Sequence, residues 1–267
     1  MTTASFPVDL FNPGQVFACL GFLEAAEHLR GPASGGFDWS GQSRFTLATP
    51  GDEHPVETIL TFLAGAEVQA MAPQGWQPSK GGADALWRAD CFPASKPEEM
   101  NLPIRLSKGD REVFLGHWCD EAQPRDPFKL YSGNRSARMI AENMLRGSKD
   151  RGICSVATLF HDDPTGLVAN PLGQVGPMGG SFNFDCRGGW LGLDVGYTLN
   201  DLKGPLKQNV MASPLVEFMA AWGLEHARPV KISPRVYRYG VWTGLLPPLL
   251  ARAALGAQGG TLFTEVS

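Results

Sequence analysis

The chain has 267 residues and a formal net charge of −4, from 23 Lys or Arg and 27 Asp or Glu. That length sustains a core without disulfides or metal, as one large domain or two small ones. The charge balance argues against a chain that is basic throughout for nucleic acid, and no run approaches the roughly 20 apolar residues of a membrane helix.

In chain order, Phe6–Leu10 alternates and predicts a strand. Asn12 then reads as an N-cap, with Pro13 at the first helical position and Gln15 placed to close a capping box. Val16, Cys19, Leu20, Phe22, Leu23 and Ala26 cover more than half of this helix's circumference, which predicts burial on most sides, and Gly31-Pro32 ends it. Arg44–Thr49 predicts a strand, residues 55–71 a second helix and 72–85 a loop. Strands are predicted near 86–92, 103–107 and 112–119, then at 128–131. Ser132-Gly133-Asn134 predicts a turn, and a helix follows from about 135 to 146. Ile153–Phe160 suits a buried strand, and 162–180, rich in Gly and Pro, reads as a long loop. Residues 181–185 and 190–198 read as a hairpin. Ser213-Pro214 starts a helix that ends near Gly223. Residues 236–242 predict a strand, 248–255 a short helix and 261–266 a last strand.

No regular βαβ beat runs through these elements. The expectation is an α+β fold with a mixed, mainly antiparallel sheet and packed helices, compatible with RRM- or ferredoxin-like elements. It is read as a single domain over 1–267, with 162–180 as the place where it would divide. Phe17–Phe22 and Met219–Leu224 share a loose pattern, either an echo of duplication or chance similarity between two buried helices.

The five cysteines (19, 91, 119, 154 and 186) are widely spaced with no CxxC, so free thiols in a reducing cytosol are expected rather than a zinc knuckle or redox pair. Met1–Ser5 has neither the basic nor the apolar region of a secretory signal, which fits a cytoplasmic protein. His117-Trp118-Cys119 places His117 and Cys119 on one strand face, and His161-Asp162-Asp163 follows a strand end. Neither group has the further ligands that a metal needs, so packing and a solvated turn are preferred, and no metal or cofactor is expected. No GxSxG, P-loop, HExxH or GxGxxG occurs. A non-catalytic binding protein is therefore favoured. The enzyme alternative would use a pocket lined by His117, Cys119 or His161-Asp162.

Charge is unevenly spread. Residues 1–60 hold seven acidic and two basic side chains, 125–151 hold seven basic and three acidic, and 201–238 hold six basic and three acidic. Lys129, Tyr131, Arg135 and Arg138 surround the turn at 132–134, where a helix N-terminus, full charges and a stacking face would suit a phosphate backbone. Lys203, Lys207, Lys231 and Arg235, the last two near Tyr237 and Tyr239, form a second basic-aromatic set. The alternatives are helix capping with surface arginines at the first and packing beneath a helix at the second. A third reading is a pure protein-interaction subunit whose acidic N-terminal part docks on partners.

The run Asn12-Pro13-Gly14-Gln15-Val16-Phe17-Ala18-Cys19-Leu20-Gly21-Phe22-Leu23-Glu24 resembles the start of accessory or effector subunits of type I-U (I-G) CRISPR systems. Lys129–Ser136, Leu193–Thr198, Pro214–Phe218 with Gly223-Leu224, and Arg228-Pro229 are similar to later patches of that family, in the same order. The resemblance implies a non-catalytic subunit of an RNA-guided effector complex in antiviral defence. Its partners would be other Cas subunits and guide RNA or target DNA, with the chain serving as a reduced large subunit or a strand-sheet RNA binder.

Overall fold

A run of almost unbroken apolar and small residues can be helical only if the helix is surrounded. In the computed structural model, which describes residues 1–78, 86–92, 98–119, 136–147, 152–188, 210–233 and 236–256, the helix α1 (Pro13–Arg30) is buried at every position from Gly14 to Ala26. It lies on a three-stranded antiparallel sheet of β1 (Thr2–Pro7), β2 (Ser34–Asp38) and β3 (Arg44–Thr49), in the order β1-β3-β2. Phe6, Phe22 and Phe45 pack ring against ring at this interface. The predicted strand at 6–10 therefore sits earlier, over 2–7, because Leu10 and Phe11 belong to the turn that leads into the helix.

The helix α2 (Pro55–Gly65) follows, and then β4 (Glu67–Pro73). The expected helix over 55–71 thus stops at Gly65, and its last residues cross into a strand. Through β4 the element order is β-α-β-β-α-β, and β1-β3-β2 has the antiparallel order of a ferredoxin-like sheet. In that layout the fourth strand would lie beside β1. Here β4 joins a second sheet instead, with β5 (Leu86–Ala89), β6 (Ile104–Lys108) and β7 (Arg111–Leu115) in the order β5-β4-β6-β7. The β4/β5 pair is parallel and the others are antiparallel. The fold is α+β with mainly antiparallel sheets, as the mixed element pattern indicated.

Beyond this sheet come α3 (Ala137–Arg146), α4 (Val156–Asp162), α5 (Pro164–Ala169) and the short antiparallel pair β8 (Gly176–Met178) and β9 (Val210–Ala212). The strand expected at 153–160 is a helix. Ser155 and Thr158 cap it reciprocally, a signal that outweighs the strand-like composition of the apolar run. The long loop expected at 162–180 contains α5 and β8. Residues 181–185 form no strand, and the expected strands at 128–131, 190–198 and 261–266 fall outside the described residues. The chain continues with α6 (Pro214–Gly223), the antiparallel pair β10 (Val230–Ser233) and β11 (Val236–Arg238), and α7 (Pro248–Gly256). No helix among the described residues is long and apolar enough to cross a membrane.

The helix α6 is buried from Pro214 to Gly223 and lies along α1. A methyl group on Gly21 would collide with the Met219 carbonyl, and one on Gly223 with the Phe17 carbonyl. The crossing is reciprocal: each glycine meets the residue four before the other. The two glycines matched in the sequence comparison of these helices are the two in contact. The ion pair of Arg252 on α7 with the buried Glu24 carboxylate, at 2.5 and 2.6 Å, closes the far side of α1.

Candidate functional site

Asn12 is the N-cap residue of α1 and Pro13 its first helical residue, but the expected capping box does not form. The Asn12 amide instead donates to Asp185 at 2.8 Å, and Gln15 accepts from the Asp9 N–H at 2.8 Å. The charge-assisted bond to a buried carboxylate orients the Asn12 side chain, and its oxygen then accepts from the Cys186 N–H at 3.4 Å in place of a first-turn N–H. Asp185 also accepts from the backbone N–H of Ser213, the N-cap of α6, at 2.9 Å, and Arg187 clamps both of its oxygens. One carboxylate therefore sits at the N-termini of both central helices, where the helix dipoles favour negative charge. Burial would raise the Asp185 pKa, but the Arg187 and Asn12 hydrogen bonds, the Arg187 charge and the Ser213 N–H outweigh it and hold it below the ordinary value.

Glu217, fully buried one turn into α6, accepts from the N–H groups of Phe182, Phe184 and Asp185 at 2.8–2.9 Å. It fixes the 182–185 segment that carries Asp185. Burial, with the Asp185 charge added, pushes its carboxyl up to about 7, against the pull of the backbone donors. A pKa raised above the unfolded value of 4.5 contributes stability that is fully present below about pH 4.5 and is lost as pH rises through about 7. Asp185 acts in the opposite sense, since its lowered pKa contributes stability that is lost on acidification. Glu217 is therefore expected to make the protein more stable near pH 5.5 than near pH 8 by about 2 kcal/mol, seen as a higher Tm, with His28, whose pKa burial lowers, acting in the opposite sense. A Glu217→Gln variant should show a flatter profile across that window.

The site residues singled out in the sequence are mostly beyond the described part of the structure: Lys129, Tyr131, Arg135, Lys203, Lys207 and Arg235 all fall there. Arg138 lies in the first turn of α3, which begins at Ala137 with Ser136 as its cap, and pairs with Glu142 at 2.7 Å. Lys231 is exposed on β10, opposite Tyr237. Tyr239 does not present a free stacking face: its ring stands edge-on to Phe17 and its hydroxyl donates to the Leu10 carbonyl.

His117, Trp118 and Cys119 form a 3-10 turn after β7 and not a continuation of the strand. The buried His117 ring lies 3.7 Å from Glu225, whose carboxylate also accepts the Gly116 and His117 N–H groups. Trp118 stacks on Phe182 and donates to the Leu102 carbonyl. His161 and Asp162 are exposed at the end of α4, 3.2 Å apart. Among the described residues, no group of three or more His, Cys, Asp or Glu side chains is placed to hold a metal ion.

What sequence reading missed lies on the second sheet. Its inner face carries Val68, Ala70, Ile104, Leu106, Val113 and Leu115, all buried. On its outer face the Trp87 and Phe114 rings meet at 5.2 Å, and the Arg105 guanidinium lies over Trp87 at 5.5 Å from the ring centre. Arg105 is held by Glu112, Gln69 and Ser107, and Phe114 is 39% exposed. The outer face of the first sheet offers Thr3, Ser5 and Thr46 and no aromatic ring, and Gly36 beside them is buried against Gly244. No family model, curated protein or solved structure matches the chain.

Proposed function

We propose that this chain is a non-catalytic subunit of a type I CRISPR RNA-guided effector complex, acting in the cytoplasm. In this reading it holds guide RNA or a single-stranded stretch of target DNA and docks on partner Cas subunits. The family assignment rests on the resemblance of Asn12–Glu24 and the later patches. The observation that carries nucleic-acid binding is the Trp87–Phe114 pair with Arg105 on the outer face of a four-stranded sheet, where Phe114 is exposed. Sheet-borne aromatic rings are how many single-strand binders stack bases, and every base has a face to offer. Lys129, Arg135 and Arg138, with Lys203, Lys207, Lys231 and Arg235, would supply backbone contacts.

The full-length protein is titrated with a fluorescent oligouridine and its DNA counterpart at low and raised salt. Binding that falls steeply with salt is expected. Phe114→Ala should weaken it about tenfold, within the range of a lost base stack, and bound strand should quench Trp87 fluorescence. Arg138→Ala should lower affinity and the salt dependence together. No binding at low salt, or a Phe114→Ala variant that binds as the parent does, would remove the sheet assignment.

A further inference from the structure

Phe11 is 93% exposed and Trp39 45% exposed, and a groove of about 520 Å³ runs between them. Val8, Leu10 and Val241 line it with apolar side chains, and Asp9 and Ser43 with polar ones. An aromatic ring on a flexible loop folds back onto the nearest apolar surface, but Phe11 has no such freedom. Its own N–H donates to the Asp9 carboxylate, the Asn12 N–H donates to the Asp9 carbonyl, and Tyr239 donates to the Leu10 carbonyl. The turn fixes the backbone that carries the ring, so little backbone entropy is lost when a partner covers it.

The charge around the groove selects the partner. Asp9 lines it, and Asp38 adjoins Trp39 with its carboxylate accepting from the Ser40 N–H and hydroxyl. Arg44, the neighbouring cation, is turned away onto the Ser5 hydroxyl and carbonyl. Asp9 in the lining, with Asp38 next to Trp39 in the chain and more acidic than basic side chains across residues 1–60, disfavours a phosphate backbone and favours a cationic polypeptide. We propose that the Phe11–Trp39 groove is a docking site for a partner protein that inserts an apolar side chain flanked by lysines or arginines. This inference stands apart from nucleic-acid binding by the second sheet.

The test uses the full-length protein and a short fluorescent peptide with a central Trp-Leu pair flanked by lysines, beside the same peptide flanked by glutamates. Saturable binding of the lysine peptide alone is expected. Phe11→Ser and Trp39→Ser should each weaken it about tenfold or more, as for anchor residues at protein interfaces, and Asp9→Asn with Asp38→Asn should weaken it severalfold. Because Phe11 is exposed, Phe11→Ser should melt with the parent. Phe114→Ala should bind the peptide normally, which separates failure here from failure at the sheet. Equal binding of both peptides, no saturable binding, or insensitivity to Phe11→Ser overturns the proposal. So does displacement of the peptide by single-stranded RNA. A concentration-dependent dimer in sedimentation that Phe11→Ser abolishes would give the groove to a second copy and overturn it equally.

Discussion

Glu217→Ala is expected to destabilise the protein by about 3–5 kcal/mol, the scale for breaking a buried charged hydrogen-bond network. The substitution removes the acceptor of three buried N–H groups at once. The loss propagates, because the segment released is the one that carries Asp185 to the starts of α1 and α6. Urea unfolding should show a lower midpoint with an unchanged slope if the native state survives. A midpoint within experimental error of the parent would mean that the 182–185 segment is held by its aromatic packing alone. The variant should also lose the protection of the Phe182 and Phe184 amides in hydrogen exchange.

The second large effect inverts an ordinary rule. Replacing a glycine inside a helix with alanine usually stabilises a protein by about 0.4–1 kcal/mol. Gly21→Ala is expected to cost about 1–3 kcal/mol, because the methyl group would overlap the Met219 carbonyl and the two helices would have to separate. Gly223→Ala meets the Phe17 carbonyl and should behave alike. Gly256→Ala supplies the control: its methyl group meets only the Arg228 carbonyl at 3.4 Å, so it should be near neutral. The three variants are compared by thermal and urea unfolding. Equal Tm values for all three would show that the crossing has slack that the backbone contacts do not reveal.

What was legible in the sequence was local. The Asn12-Pro13 and Ser213-Pro214 starts, the burial of α1 and the α+β class follow from patterns within a dozen residues. What was not legible depends on distant partners. Asn12 lost its expected capping role to Asp185, 173 residues away, and no local pattern gives that. Ile153–Phe160 is apolar enough for either a strand or a helix, and the decisive feature was the Ser155–Thr158 pair rather than hydrophobic periodicity. Trp87, Arg105 and Phe114 look unrelated in the sequence. Only the strand order β5-β4-β6-β7 brings them onto one face. The basic residues around 129–138 stood out because they lie close together in the sequence, and all of them but Arg138 fall outside the described residues.

The shared carboxylate at the heads of α1 and α6 also sets an order of events during synthesis. The helix α1 is made early, yet the surface that covers its Gly21 side and the Ser213 N–H that completes the junction come almost two hundred residues later. At ribosomal rates of about 5–20 residues per second, the wait is on the order of ten to forty seconds. Through that interval the face of α1 that α6 will cover stays apolar and open, even after the β1-β3-β2 sheet has been made for its other side, so this half-covered helix is the surface that a chaperone would recognise.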